Sequence, residues 1–336
     1  MVASWRVSVE VCRAKGQHEV SGSIDRVAVV GAGYMGGGIA QVLAMAGFEV
    51  VISDLDQERT EAHLHRLRTE AQEFEDAGLL EPGSAALVRE NLSAATTLAA
   101  AVADADLIEE AVLERPEVKG PVLASIEQAA RPDAVIGTNT STIPIGDLAE
   151  SLTHRERFLG IHFSNPAPFI PGVELIAHSA TDETAVQTAE QLVARTGKLS
   201  ARVNDSAGFV LNRLQYVLLK EAIDLVQEGV ATPEDIDIIV RTTFGYRLPF
   251  FGPFAIADMA GLDVYVDGFR TLERHYGERL SAPAALTELV NAGRFGVKQG
   301  GGFVTPAGDS SPLVAYRNLA YARLGELLSE LGPAPG

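Results

Sequence analysis

The chain has 336 residues, 46% of them hydrophobic and 21% charged, and a net charge of −18, which suits a soluble globular protein of two domains with a sizeable core. So acidic a chain is not expected to bind nucleic acid, which calls for a basic stripe, and with no apolar run of about 18 residues it is not expected to cross a membrane as a helix. A single cysteine, Cys12, excludes a disulfide within the chain and a cysteine metal site, agrees with a reducing, cytoplasmic setting, and no metal is expected.

Residues 1–23 carry no apolar signal core and are read as an N-terminal extension that need not be ordered. Residues 24–30 (IDRVAVV) are a short β-branched run, the pattern of a buried strand. Gly31-Ala-Gly-Tyr34-Met35-Gly36 follows at once, then a helical stretch over 38–46 that ends at Gly47, then a second strand over 48–52 that leads to Asp54. This β-turn-α-β unit of about 30 residues is the repeat of a doubly wound parallel sheet. Residues 56–95 predict one long helix with a break near Glu81-Pro82-Gly83. Strands are then predicted at 106–109, 134–137, 158–163, up to Ile176, and 198–203, with helices over 116–130 and 181–196. Beyond Asn204 the texture becomes helical: 209–228, 233–242, 253–268, 283–292 and 313–331. The predicted organisation is therefore an α/β domain over 24–204 and an all-α domain over 205–336.

Gly31, Gly33 and Gly36 have the G-x-G-x-x-G spacing: a tight turn, a close backbone approach to a pyrophosphate, and close helix packing. The helix that opens there, with Tyr34 and Met35 in its first turn, would offer amide N–H groups to phosphate. Asp54 stands 23 residues after Gly31, at the end of the next strand. An acid there accepts from ribose hydroxyls and repels a 2′-phosphate, and Leu55 and Asp56 supply no arginine to reverse this. The predicted cofactor is NAD rather than NADP.

A nicotinamide cofactor implies hydride transfer, which needs a base for an alcohol proton. Of seven histidines, His63 and His65 fall on a charged helical stretch, His18 in the extension, His154 among charges, and His178 comes with no companion motif. His162 lies at the end of a predicted strand, where open α/β sheets place their ligands. It is followed by Asn165 and, twelve residues on, by Glu174, with Pro166, Pro168 and Pro171 between. An imidazole held by a carboxylate is a proton-transfer device near neutral pH.

The pattern His162-Phe-x-Asn165-Pro with Glu174 resembles the NAD-dependent L-3-hydroxyacyl-CoA dehydrogenase family, including the 3-hydroxybutyryl-CoA dehydrogenases. Four further patterns of that family are present: Glu114-x-x-x-x-Lys119, Asn139-Thr140-Ser141, Gly208-Phe-x-x-Asn212-Arg-Leu, and Gly296-x-Lys298-x-Gly300-x-Gly302-Phe303. The resemblance implies a Rossmann-type domain followed by a helical domain that makes a homodimer. It implies His162 as general base, Glu174 as the carboxylate that orients it, and Ser141 and Asn212 as hydrogen-bond partners of the reacting oxygen. Asn165 would help fix substrate or histidine. Glu114 and Lys119 would lie near the nicotinamide half of the cofactor, with Asn139 also in the cofactor site. The small-molecule substrate so implied is a 3-hydroxyacyl-CoA, and Arg66, Arg68 and Arg89 could serve its 3′-phosphate.

The sequence departs from that pattern at Ser164, at Pro171-Gly172, and over 241–253, where Arg247 stands among aromatic residues and could hold a carboxylate. Such departures occur in relatives that act on CoA-free carboxylates: L-gulonate 3-dehydrogenase, carnitine dehydrogenase and the pyridine carboxylate dehydrogenase of vitamin B6 breakdown. A third alternative is a non-enzymatic, crystallin-like NAD-binding protein.

Overall fold

The computed structural model describes residues 24–334; the extension read over 1–23, with Cys12 and His18, lies outside the described residues. The chain divides into two compact units between Val217 and Leu218.

The strands of the first unit are β1 (Arg26–Val30), β2 (Glu49–Ser53), β3 (Leu92–Ala94), β4 (Leu107–Glu110), β5 (Val135–Thr138), β6 (Phe158–Phe163), β7 (Gly172–Ala177) and β8 (Leu199–Asn204). They form one eight-stranded sheet in the order β3-β2-β1-β4-β5-β6-β7-β8. Pairing is parallel from β3 through to β6, antiparallel between β6 and β7, and parallel again between β7 and β8. The order reverses direction between β1 and β4, which opens a crevice at their carboxyl ends. The helices are α1 (Tyr34–Met45), α2 (Gln57–Asp76), α3 (Ser84–Asn91), α4 (Leu98–Val102), α5 (Pro116–Ala129), α6 (Ile145–Ala149) and α7 (Glu183–Arg195).

Alternate residues of each strand serve opposite faces of the sheet. Val27, Val29, Val50, Ile52 and Ile161 pack with α1 and α7 side chains such as Ile39, Leu43 and Leu192. Ala28, Val30, Ile108, Ile136 and Phe158 pack with Val102, Leu123 and Leu148 of α4, α5 and α6. Both faces are covered, which is why these strands read as continuous apolar runs.

The stretch over 56–95, expected as one long helix with a break near Glu81-Pro82-Gly83, is two helices parted at that break and a strand. Asp56 caps α2 by accepting from the Arg59 amide, and α2 runs out at Gly78, whose φ is +70°. Gly83, with φ +95°, then precedes α3. Leu92–Ala94 adds to the sheet edge beside β2. Three residues are too few to show a strand period in a sequence.

The α8 helix (Leu211–Gln227) is followed by α9 (Pro233–Thr242), α10 (Pro253–Ala260), α11 (Leu262–Tyr276), α12 (Ala284–Asn291) and α13 (Ser311–Leu331). The single helix expected over 253–268 is α10 plus α11, because Gly261 between them has φ +108° and ends the first. The second unit centres on Leu262, Val266 and Leu286. Buried Asp258 accepts from the amides of Phe303, Val304 and Thr305. A side chain at Gly302 would overlap that carboxylate, so this late glycine pattern is a structural device of the second unit.

Candidate active site

The glycine turn sits at the carboxyl end of β1. Gly31 has φ +93°, and a Cβ there would lie 2.7 Å from the Ala111 carbonyl oxygen at the end of β4. A Cβ at Gly36 would overlap the Gly31 carbonyl oxygen, whereas no heavy atom lies within 4 Å of one at Gly33. The first and third glycines therefore close the turn on itself, and the second leaves its outer side clear for a pyrophosphate. Tyr34, which opens α1, is exposed, and Met35 packs on the core.

Asp54 accepts from the Ala32 amide at 2.8 Å and from the Leu55 amide at 2.8 Å. A cavity of about 610 Å³ lies beside it, lined by Gly31, Gly33, Asp54, Thr97, Val112 and Val122 among others. Asp56 also lines it; its apolar walls, glycine floor and the Asp54 carboxylate at the end of β2 fit the adenosine half of NAD.

At the carboxyl end of β4 a second cluster forms. Lys119, on α5, is only 1% exposed. Its ammonium donates to both oxygens of Glu110 at 3.0 and 3.1 Å and lies 3.5 Å from Glu114. Glu110 also accepts from Thr138 Oγ1 and the Val112 amide. Glu114 accepts from Thr140 Oγ1 and from the amides of Ser141 and Thr142. Burial works to raise the Glu114 carboxyl, but these donors and the Lys119 charge outweigh it and hold it below the ordinary value. Lys119 thus acts on two carboxylates, and Glu114 shapes the Asn139–Thr142 turn.

His162 and Glu174 are directly opposed in the β6–β7 ladder, so both side chains stand on one face. Of the eleven residues between them, 164–171 form the return connection between β6 and β7. His162 Nδ1 and Glu174 Oε2 are 2.8 Å apart. The other Glu174 oxygen accepts from the Val210 and Leu211 amides, each at 3.0 Å. Burial raises the Glu174 carboxyl, but the His162 hydrogen bond and those two amides more than offset it and keep it below the ordinary value. An ionised Glu174 claims the proton on Nδ1, which leaves the Nε2 lone pair of His162 free to accept one.

Asn212, one residue past that amide pair, donates from Nδ2 to the Ser141 carbonyl oxygen at 2.8 Å. Asn139 Oδ1 accepts from the Phe163 amide, tying the ends of β5 and β6. The two clusters are therefore continuous: His162, Glu174, Asn212, Ser141, Glu114 and Lys119 are linked through the first unit. Asn165 stands apart. Its side chain is exposed and makes no hydrogen bond to His162 among the described residues. Arg247 lies in the second unit, just before α10.

Residues 26–206 match the 3-hydroxyacyl-CoA dehydrogenase NAD-binding domain, and residues 208–306 match the C-terminal domain of the same enzymes. The chain belongs to the 3-hydroxyacyl-CoA dehydrogenase family. It is 36% identical to a 3-hydroxybutyryl-CoA dehydrogenase of Mycobacterium tuberculosis over 295 residues, 85% of this chain and all of that one. It is 35% identical to the 5-formyl-3-hydroxy-2-methylpyridine 4-carboxylate 5-dehydrogenase of Mesorhizobium japonicum over 280 residues, 83% of this chain and 90% of that one. A solved 3-hydroxyacyl-CoA dehydrogenase from Archaeoglobus fulgidus superposes with a TM-score of 0.77 at 30% identity, covering 91% of this chain and 99% of that one.

As a member of this family the chain is an NAD-dependent oxidoreductase acting on a CH–OH group, and its first unit is the NAD-binding domain. Sequence reasoning missed several residues around this dehydrogenase site. Glu110 is the hub of the Lys119 cluster, yet in the sequence it is one of two adjacent acids in a strand. Phe209 lies at φ +49°, rare for a residue with a side chain, and its ring is 5.9 Å from that of His162. Arg66, named from the sequence for a CoA 3′-phosphate, donates to the carbonyl oxygens of Ala32 and Gly33 and so braces the glycine turn from behind. Lys198 Nζ donates to the carbonyl oxygens of Ala167 and Ile170, each at 2.7 Å, and pins the loop after Asn165. Arg68 is turned to the carbonyls of Arg89 and Leu92, and Arg89 to Gln72.

Glu109 is the anomaly of the sheet. It is 1% exposed and neither carboxyl oxygen has a partner among the described residues. Burial, with the charge of Glu110 behind it, pushes this carboxyl well above the ordinary range despite the attraction of Lys119. It fits only because Gly137, opposite it in β5, has no side chain; a Cβ there would overlap the Glu109 carboxylate.

Proposed function

We propose that this chain oxidises the secondary alcohol of a short 3-hydroxyacyl-CoA, of the 3-hydroxybutyryl-CoA kind, to the ketone. The observation that carries the reading is the His162 Nδ1–Glu174 Oε2 pair at 2.8 Å in a chain matching both domains of the 3-hydroxyacyl-CoA dehydrogenases. The substrate hydroxyl is held by Ser141 Oγ and the Asn212 amide. His162 Nε2 takes the hydroxyl proton while the carbinol C–H bond breaks and the C=O bond forms. NAD, when bound, supplies the acceptor for the hydride. Glu174 stabilises the imidazolium that results. Run backwards, His162 is the general acid.

A homodimer is part of the proposal. No residue of α8 is buried, and its Leu214, Val217, Leu218, Ile223 and Val226 are all exposed. An uncovered apolar face of this kind marks a protein interface.

One observation favours a second reading, a CoA-free carboxylate as substrate. The pyridine carboxylate dehydrogenase of M. japonicum is as similar to this chain as the CoA-dependent relative is. The test is NADH formation with 3-hydroxybutyryl-CoA, longer 3-hydroxyacyl-CoAs, L-gulonate, carnitine and pyridine alcohol carboxylates. Turnover confined to a free carboxylate overturns the first reading. His162→Gln is expected to abolish turnover and keep NAD binding, and turnover at the original rate would remove the mechanism.

A further inference from the structure

We propose that the second unit carries a binding site for a small organic carboxylate between Arg247 and Arg317. The site is a cavity of about 410 Å³, within the range of roughly 300–1,000 Å³ typical of small-molecule pockets. Arg247 comes from the turn before α10. Ile256, Met259 and Ala260 lie on α10 at helical spacing, so that one helix face makes the apolar wall. Arg317 and Tyr321, four residues apart on α13, make the facing wall.

The charge at this cavity is unusual for the molecule. The chain has 45 acids against 27 basic residues, yet the cavity is lined by two arginines and no acid. The Arg247 side chain has no hydrogen bond or ion pair among the described residues. Arg317 donates from Nε and Nη2 to Asn318 Oδ1, which leaves its Nη1 and the Asn318 amide nitrogen uncommitted. Two guanidinium groups facing one cavity repel each other unless an anion lies between them. A planar carboxylate matches the guanidinium fork, and Ile256, Met259 and Tyr321 suit an apolar body behind it.

The wall is also built to stay in place. Tyr246 donates its hydroxyl to the Tyr321 carbonyl oxygen at 2.7 Å. The rings of Tyr246, Phe250 and Phe251 lie 5.9, 6.1 and 6.3 Å from that of Tyr321. The aromatic run around Arg247 thus seats α13 against the pocket. The family match ends at residue 306, and α13 begins at Ser311. Half of this pocket therefore comes from a helix outside the matched family domain.

The site stands whether or not the hydride-transfer reading does, since none of its residues belongs to the His162 cluster. The test is calorimetric titration of the full-length protein, with NAD present, using benzoate and its neutral isostere benzamide. Benzoate is expected to bind saturably and benzamide at least tenfold more weakly. Arg247→Met and Arg317→Met are each expected to weaken benzoate at least tenfold with unchanged thermal melting, and Arg317→Lys to lose part of the affinity. Benzoate binding equally to wild type and to the double Met variant, or no saturable binding at all, overturns the proposal. Retained benzoate binding in His162→Gln separates this site from the proton-transfer pair. Competition of benzoate against the alcohol substrate assigns the pocket to the substrate's own carboxylate, and non-competitive inhibition assigns it to a separate effector; either pattern, lost in Arg247→Met, supports the site.

Discussion

Glu174→Gln isolates what the carboxylate does for His162. One Glu174 oxygen accepts from two backbone amides, Val210 and Leu211, at 3.0 Å each. Those groups can only donate, so the carbonyl oxygen of a glutamine must stay with them. The glutamine NH2 is then forced against His162 Nδ1, 2.8 Å away in the wild type. An NH2 also only donates, so Nδ1 must become the acceptor and the ring proton must move to Nε2. The imidazole is locked in the tautomer that cannot take a proton from the substrate. Losing the productive tautomer in a comparable histidine–carboxylate pair costs roughly 10⁴ in kcat, or about 5 kcal/mol of barrier. His162 is only 4% exposed, so water cannot readily restore the lost partner. The assay is steady-state NADH formation, with the NAD dissociation constant and the melting temperature measured on the same preparation. The expected result is a loss of about 10³ to 10⁴ in kcat with NAD affinity and melting nearly unchanged. A kcat within tenfold of wild type would show that Glu174 serves the start of α8 and not the chemistry.

Two further outcomes follow from the buried acids and the cofactor cavity. Glu109→Met is expected to change how stability depends on pH. The folded state holds the Glu109 proton to higher pH than the unfolded chain does, so wild-type stability is fully present below the ordinary value of 4.5 and falls as pH rises above it. The slope is up to about 1.4 kcal/mol per pH unit. Urea unfolding between about pH 5 and 8 should show wild type losing ground steadily to Glu109→Met, and parallel curves for the two proteins refute an unpartnered buried acid. If Asp54 is the ribose acceptor, as proposed from its place at the end of β2, Asp54→Ala should weaken NAD by about 10- to 100-fold, the worth of a charged hydrogen bond. NADP should weaken less, and an unchanged NAD/NADP preference sinks the assignment of Asp54.

Much of the site was legible because its signals are local. The glycine spacing from Gly31 to Gly36, the acid at Asp54, and the pair His162 and Glu174 each lie within one β-α-β unit or one strand return, where residue separation nearly dictates position. Glu174 could be paired with His162 from the sequence because an antiparallel return brings residues about twelve apart to the same rung. The missed residues are of another kind. Lys198 and Asp205 act across long separations. Asp205, for instance, accepts from the amides of Ile145 and Gly146 at the start of α6, about sixty residues away. No spacing rule reaches that far.

The amino-acid sequence by itself determined which side chains meet at the candidate site: a G-x-G-x-x-G turn, an acid at the end of the next strand and a histidine with its carboxylate, because each depends on residue types at short fixed intervals. It also determined the α/β-then-helical order, which periodicity carries. Tertiary structure alone decided that a helix ends at Gly261, that Leu92–Ala94 joins the sheet edge, and that Lys119 is enclosed between Glu110 and Glu114. It alone turned Arg247 and Arg317, seventy residues apart, to one cavity. Pairings of that range are settled by which surfaces the whole chain can bury together, and no local stretch of sequence contains that information.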